Sequence, residues 1–375
     1  MYFDILSHIM MLLDKTRMSA FEAAVRKTVR KGDIVLDIGA GTGVLGFIAL
    51  KYGARKLYAV EEAGIINAAK RIAAQNALAD KITFHESNSR NIVLPEKADV
   101  LVMELIGDAA LNEDILSCAA DARKRLLKKN AKIIPQKIKI LGAPVMNIKY
   151  AGHTRLKKLC GLDLSLCGDS ASNRLLFFNR KPAKFPLGYK TLFNFDIQNA
   201  VAESLPASSS VEFSVKHAAS KINGLAVWFE AELCKGVGIN SMKQDTHWAV
   251  VFLPFKNMPV LQKGDKLTVK LTFGKNVSCT WETSLVRKGR EVSHSASSTM
   301  LDGIIDADKI LKLGNEKSPE LNTYGYDALL VLEQAGKRKK VGEIVKVLMR
   351  KGKMSYSNEE SAGQFVRKVL VKNIV

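Results

Sequence analysis

The stretch Asp33-Ile34-Val35-Leu36-Asp37-Ile38-Gly39-Ala40-Gly41-Thr42-Gly43 decides the fold. Its first six residues are a short apolar run ending at glycines, the pattern of a parallel strand buried on both faces. Val44 to Tyr52 then has helical character and is closed by Gly53, where a left-handed residue commonly ends a helix. A strand that enters Asp-x-Gly-x-Gly-x-Gly and then a helix lets a ligand lie against bare backbone beside free N–H groups. Dinucleotide-binding turns share this plan. Here, however, one residue separates the last two glycines, which departs from G-x-G-x-x-G.

Further along, Lys56–Val60 reads as a second strand, Ile65–Asn76 as a second helix, Lys81–His85 as a third strand and Asp99–Met103 as a fourth. Asp114–Leu127 reads as a helix and Ile133–Leu141 as the start of another strand. Strand alternating with helix predicts a doubly wound parallel sheet, a Rossmann-like α/β domain over residues 1–135. Glu61 closes the second strand, where a carboxylate can accept from both hydroxyls of a ribose. Asp37, Gly39, Gly41, Gly43 and Glu61 thus form a candidate adenosine site, and S-adenosylmethionine suits the glycine spacing better than a dinucleotide. The plain alternative is a tight turn beside a surface carboxylate.

From Pro135 to about residue 305 short β-rich runs prevail: Ala226–Leu233, His247–Leu253, Lys266–Phe273 and Ser278–Val286. With turns such as Lys263-Gly264-Asp265 between them, they predict a β-barrel or sandwich over 136–312, interrupted by a partly helical insert at about 151–186. Leu313-Gly314-Asn315 and Ser318-Pro319 mark a linker. Residues 313–375 then read as a small helical or winged-helix-like unit, from helical spacing in Tyr326–Gln334, Val341–Arg350 and Glu359–Val371.

The 57 Lys and Arg against 37 Asp and Glu give a formal charge of +20, which favours acidic partners without choosing among them. The concentration Lys337–Lys340 with Arg350, Lys351 and Lys353 suits nucleic acid or an acidic partner; a solvated helix face is the alternative. No apolar run approaches the roughly 18 residues of a membrane span. Met1-Tyr2-Phe3-Asp4 lacks the layout of a secretory signal, so a cytoplasmic protein with no membrane partner is expected. The 5 cysteines form neither a C-x-x-C pair nor a zinc spacing, and no metal is expected.

After the fourth strand comes Met103-Glu104-Leu105-Ile106-Gly107-Asp108, continuing to Glu113. Ligands of open α/β sheets sit beyond the carboxyl ends of the strands, so this loop faces the site. Glu104 and Glu113, joined through a glycine, can present paired carboxylates, for which a planar guanidinium is the natural partner. Alternatively, Glu113 only favours the N-terminus of the next helix.

Over roughly residues 2–300 the sequence resembles the protein arginine methyltransferases. The matching stretches are His8-x-x-Met11-Leu12-x-Asp14-x-x-Arg17, Val35–Gly43, Val60-Glu61, the Glu104/Glu113 loop and Thr246-His247-Trp248. The resemblance implies that Glu104 and Glu113 clamp the guanidinium of an arginine-containing protein substrate. Arg17 would pair with the cofactor carboxylate, Met11 would crowd the methyl-transfer region, Asp14 would meet His247 across the two domains, and Trp248 would border the substrate pocket. Tyr2, six residues before His8, matches one tyrosine of the family's N-terminal helix. Ser89 would lie near the adenine, but Arg90 falls where many members place an acidic contact. Leu105-Ile106 and a third carboxylate, Asp108, also depart from the common pattern. The insert holds the position of the family's dimerisation arm and implies a homodimer. Two other readings stay open: a methyltransferase of the same build acting on another side chain or a small molecule, and an inactive cofactor-binding scaffold with a basic tail.

Overall fold

The computed structural model describes residues 5–108, 110, 113–146, 156–178, 185–199, 207–216, 222–274, 278–301, 320–371 and 373. Tyr2 and the expected linker at Leu313–Asn315 lie outside them. Helices α1 (Ile5–Leu13) and α2 (Lys15–Thr28) precede strand β1 (Ile34–Ile38). Then follow α3 (Val44–Lys51), β2 (Lys56–Glu61), α4 (Ile66–Gln75), β3 (Ile82–Glu86), β4 (Ala98–Met103), α5 (Ile115–Arg125) and β5 (Leu127–Ile134).

These strands pair in parallel in the order β3-β2-β1-β4-β5. The chain leaves β1 toward β2 and β3 and returns to the other side of β1 as β4, so the direction of winding reverses between β1 and β4. Such a switch opens a crevice at the carboxyl ends of the two strands. The register places Ile38 beside both Val60 and Met103. Gly39, Glu61 and Glu104, which come next in each strand or loop, therefore emerge side by side. All five residues of β1 are buried, which accounts for its unbroken apolar run.

Two sequence expectations need correction here. The strand expected from Ile133 to Leu141 is two strands, because Pro135 has no N–H with which to continue a ladder. β5 ends at Ile134 and β6 (Lys137–Val145) opens the second half. The helix expected from Asp114 starts one residue later: Asp114 is its N-cap, with φ +61.

Beyond β6 come a hairpin, β7 (Lys158–Leu159) with β8 (Leu162–Asp163), helix α6 (Ser165–Ala171), and β9 (Leu176–Phe178). Then follow β10 (Lys190–Asp196), β11 (Ala207–Ser214), β12 (Gly224–Cys234), β13 (Val237–Asn240), β14 (Val250–Pro254), β15 (Lys266–Phe273), β16 (Cys279–Arg287) and β17 (Arg290–Ser298). One antiparallel sheet has the order β10-β6-β12-β14-β9, with β13 on β12; the other runs β11-β15-β16-β17. Inward-facing Leu267, Val269 and Leu271 alternate along β15 and share one core with Val227 and Phe229 of β12, so the two sheets enclose a common barrel interior. That core continues into the parallel half through Phe21, Ala24 and Val25 of α2. β9 lies inside the expected insert yet pairs with β14 of the barrel sheet.

The chain separates into two compact units, Met1–Ile304 and Ile305–Val375. In the second, α7 (Thr323–Gly336), α8 (Val341–Lys351) and α9 (Glu359–Val371) surround Val331, Ile344, Leu348, Ala362 and Val366. The buried carboxylate of Asp327 accepts from the N–H groups of Lys353 and Met354 and from the Tyr356 hydroxyl, at 2.6, 3.0 and 2.8 Å, fixing the α8–α9 connection to α7.

Candidate active site

The glycine loop leaves β1 through three left-handed residues, with φ +74 at Gly39, +53 at Gly41 and +82 at Gly43. Gly41 is also close-packed: a Cβ there would lie 2.9 Å from Cε1 of His8. Its N–H donates to Oε2 of Glu61 at 3.0 Å, and Ala63 N–H donates to Oε1 at 2.9 Å. Glu61 is thereby locked against the loop, with lone pairs left to accept more. Asp37 is buried beneath, its carboxyl accepting from Gly46 N–H at 2.9 Å. Burial, joined by the nearby Glu61 charge, pushes it up to about 7 despite that bond. Ser89 is buried in a 3-10 turn after β3, with its carbonyl held by Arg125 Nη2 at 3.0 Å. Arg90 pairs with Asp114, so its charge is taken up at the surface.

Helices α1 and α2 bring the remaining N-terminal residues to the crevice. Asp14 starts α2 by accepting from Arg17 N–H at 2.8 Å. Its other oxygen accepts from the backbone N–H of His247 at 2.7 Å and lies 2.8 Å from His247 Nδ1. Burial works against the Asp14 charge, but these hydrogen bonds outweigh it and hold the carboxyl below its ordinary value. Arg17 points the other way. Its Nε and Nη2 donate to Oε2 of Glu104 at 3.0 and 2.6 Å, and its Nη1 donates to the Met11 carbonyl at 3.2 Å. Both side chains of this ion pair are only 7% exposed, so each charge depends on the other. His8 is buried with no hydrogen-bond partner for Nε2 among the described residues, a polar atom left over beside the glycine loop.

The glutamate loop is fastened to the barrel. Glu104 Oε1 accepts from Ile106 N–H at 3.1 Å. The Ile106 carbonyl accepts from the indole N–H of Trp248, which is 1% exposed and stands edge-on to Phe229. Asp108 accepts from Ala249 N–H at 2.7 Å. Glu113 has no such hydrogen bond to a described residue. Burial, and next the charges of Glu104 and Asp108, push its carboxyl up to about 7. One carboxylate is therefore anchored on three donors while the other forms no ion pair with a described residue, an arrangement that a planar, permanently charged guanidinium would complete.

The expected strand His247–Leu253 begins only at Val250. The N–H groups of His247 and Ala249 are given to Asp14 and Asp108, so they cannot enter a ladder. Trp248, expected at the border of a substrate pocket, is buried with its indole N–H on the Ile106 carbonyl. Arg17, expected at a cofactor carboxylate, lies on Glu104 and keeps an Nη2 hydrogen to spare. Sequence reasoning gave no role to His8 or to the Asp108–Ala249 link. His8 had a signal, since it opens the quoted His8–Arg17 stretch. The link had none, because 141 residues separate its partners.

An adenosyl cofactor fits these residues: a backbone cradle that a Cβ would fill at Gly41, an acidic acceptor at Glu61, and, among the described residues, a buried His8 ring nitrogen without a partner and an arginine with a donor to spare.

A family model described as "Ribosomal protein L11 methyltransferase (PrmA)" matches residues 15–135. Protein arginine N-methyltransferase 6 of Danio rerio is 30% identical over 270 residues, covering 67% of this chain and 77% of that protein. The Xenopus tropicalis protein of the same name is 26% identical over 292 residues, 72% of this chain and 84% of its own length. Among solved structures, the Trypanosoma brucei PRMT1 enzyme–prozyme heterotetrameric complex with AdoHcy has a similar fold, with a TM-score of 0.71 and 23% identity over 78% of this chain and 96% of that one.

Proposed function

This chain belongs to the protein arginine N-methyltransferase family, and from that premise we propose that it transfers methyl groups from S-adenosylmethionine to the guanidino nitrogens of protein arginine. The observation that supports this most is the pair of unlike carboxylates, Glu104 and Glu113, on a loop fastened beside the glycine turn. Bound S-adenosylmethionine supplies an electrophilic methyl carried on sulfur. The other contributions belong to the chain. Gly39, Gly41 and Gly43 give close backbone approach, Glu61 accepts from the ribose and Ser89 lies on the adenine side. Arg17 reaches the cofactor carboxylate with its free donor while it holds Glu104.

Glu104 and Glu113 clamp the substrate guanidinium and draw its charge toward one nitrogen, leaving the other free to attack. Positioning and electrostatics carry such a reaction. Asp14 and His247 tie α2 to the barrel, Met11 crowds the transfer region, and Trp248 holds the loop through Ile106. Tyr2 belongs to the substrate side by its place in the motif.

The same reading makes the protein a cytoplasmic homodimer. Exposed Leu159, Leu162 and Leu166 on the insert and Leu6, Met10 and Leu13 on α1 support self-association. All five cysteines are unpaired, which supports a reducing compartment. No described helix is long and apolar enough to cross a membrane.

The test is incubation with methyl-labelled S-adenosylmethionine and an arginine-rich peptide, then acid hydrolysis. Labelled methylarginine is expected. The ribosomal-protein family model over residues 15–135 favours a second reading, in which another side chain accepts the methyl. Label on lysine or on an N-terminal amine, with arginine unlabelled, would replace the first reading with that one.

A further inference from the structure

The C-terminal unit carries one of the two densest basic runs in the chain. Residues 337–353 contain eight Lys and Arg and one acidic residue, Glu343. Glu343 is occupied, accepting from Lys340 N–H at 2.9 Å at the start of α8. Surface cations of the first unit are often neutralised, as in Lys51–Glu22, Arg55–Glu96 and Lys270–Glu282. None of the eight in 337–353 forms an ion pair with a described residue. Lys339 reaches the Gln334 side chain at 2.8 Å, and the Lys353 ammonium lies 4.3 Å from the centre of the Tyr326 ring, which leaves its charge uncompensated.

The backbone organises this charge. The four residues Lys337–Lys340 join α7 to α8, with Arg338 left-handed at φ +57, and α9 completes the core with both helices. A four-residue turn between two helices is the connection of a helix-turn-helix. Ile344, Val345 and Leu348 point α8 into the core. Its opposite stripe, Gly342, Glu343, Lys346, Met349 and Arg350, is exposed, carries that one carboxylate among its cations, and continues to Lys353. A helix of 11 residues is about 16 Å long, and with side chains it is about as wide as the major groove of B-form DNA. A protein partner would need an apolar centre on this face, but Val341 and Met349 are the only large apolar side chains α8 exposes. A phosphate backbone needs only cations.

We infer that the C-terminal unit binds double-stranded DNA, with α8 along the major groove and Lys337–Lys340, Lys346, Arg350 and Lys353 on phosphates. The assignment does not depend on the methyl-transfer reading.

The test uses the full chain and a fluorescein-labelled duplex of about 20 base pairs, two helical turns, read by anisotropy. If these seven cations each neutralise a phosphate, affinity falls about 6,000-fold between about 50 and about 200 mM salt. The double variant Lys346→Glu/Arg350→Glu should bind more than tenfold more weakly, with the salt slope reduced by about two. Lys81→Glu/Lys129→Glu, which reverses two exposed lysines of the first unit, should bind as the wild type does. Methyl transfer to a short peptide should be unchanged in both variants, and circular dichroism would report that α7–α9 persist. No binding at low salt, equal losses in the two double variants, or equal competition by poly-glutamate or an RNA duplex would each overturn the assignment.

Discussion

The carboxylate of Asp14 is shared between the start of α2 and His247 of the barrel half, accepting from Arg17 N–H with one oxygen and from His247 with the other. A single side chain thus sets the helix that carries Arg17 and the segment that carries Trp248. Asp14→Asn keeps an N-cap acceptor but removes the anion beside the imidazole. The expected result is a fall in kcat of about tenfold, the loss of one charge-assisted hydrogen bond, with the cofactor Kd within about twofold. Asp14→Ala should also cost about 1 kcal/mol of stability through the lost cap. Steady-state kinetics and calorimetry on the two variants check this. Equal kcat in Asn and wild type would confine Asp14 to a capping role.

Glu113 links activity and stability with opposite signs. Its folded pKa, pushed up to about 7, exceeds the ordinary 4.5. Between those values the folded chain holds a proton that the unfolded chain has released, so stability falls as pH rises through that window. Glu113→Gln removes the ionisation and should raise the melting temperature at pH 8 by a few degrees, corresponding to about 1–2 kcal/mol. Methyl transfer should be lost at least a thousandfold, about 4 kcal/mol of transition-state stabilisation, while cofactor binding persists. In the wild type, transfer should rise through an acid limb near pH 7 as Glu113 ionises to meet its cation. A variant no more stable than wild type at pH 8 would contradict the buried, ionised carboxylate.

What the sequence made legible follows from how locally each feature is encoded. β1 and its glycines were readable because burial on both faces and left-handed backbone each restrict residue choice at the position itself. The adjacency of Gly39, Glu61 and Glu104 followed once the sheet was taken as doubly wound. The start of β14 was misplaced because Thr246–Ala249 has strand-like residues whose N–H groups are claimed by carboxylates far away in the chain. Arg17 was assigned to a ligand by resemblance alone, and nothing in its neighbourhood announces an ion pair with Glu104 across 87 positions.

Asp108 offers a case where shape and charge can be separated. Asp108→Ala leaves the Ala249 N–H without its acceptor, a cost of about 1–3 kcal/mol, and should loosen the glutamate loop. A fall in kcat of tenfold or more with little change in cofactor affinity is expected. Asp108→Asn retains an oxygen for that N–H and should restore most of the rate. It also removes a negative charge that raises the Glu113 pKa, so the acid limb should move to lower pH. A pH–rate profile of the Asn variant that overlays the wild type would show that Asp108 acts through geometry alone.

Gly41 tests whether the cradle is built for a ligand or is only a turn. At φ +53 a side chain is strained by about 1–2 kcal/mol, and its Cβ would lie 2.9 Å from the His8 ring. Relief would come from shifting His8, whose buried Nε2 has no partner among the described residues. Gly41→Ala should therefore weaken S-adenosylmethionine binding at least tenfold by calorimetry, beyond what its melting temperature predicts. His8→Ala in the same background separates the causes. If the double variant regains cofactor affinity, the displaced ring was the obstacle. If His8→Ala alone already loses tenfold, the ring itself contacts the cofactor, and the second loss in the double variant should be small because the two positions share one contact.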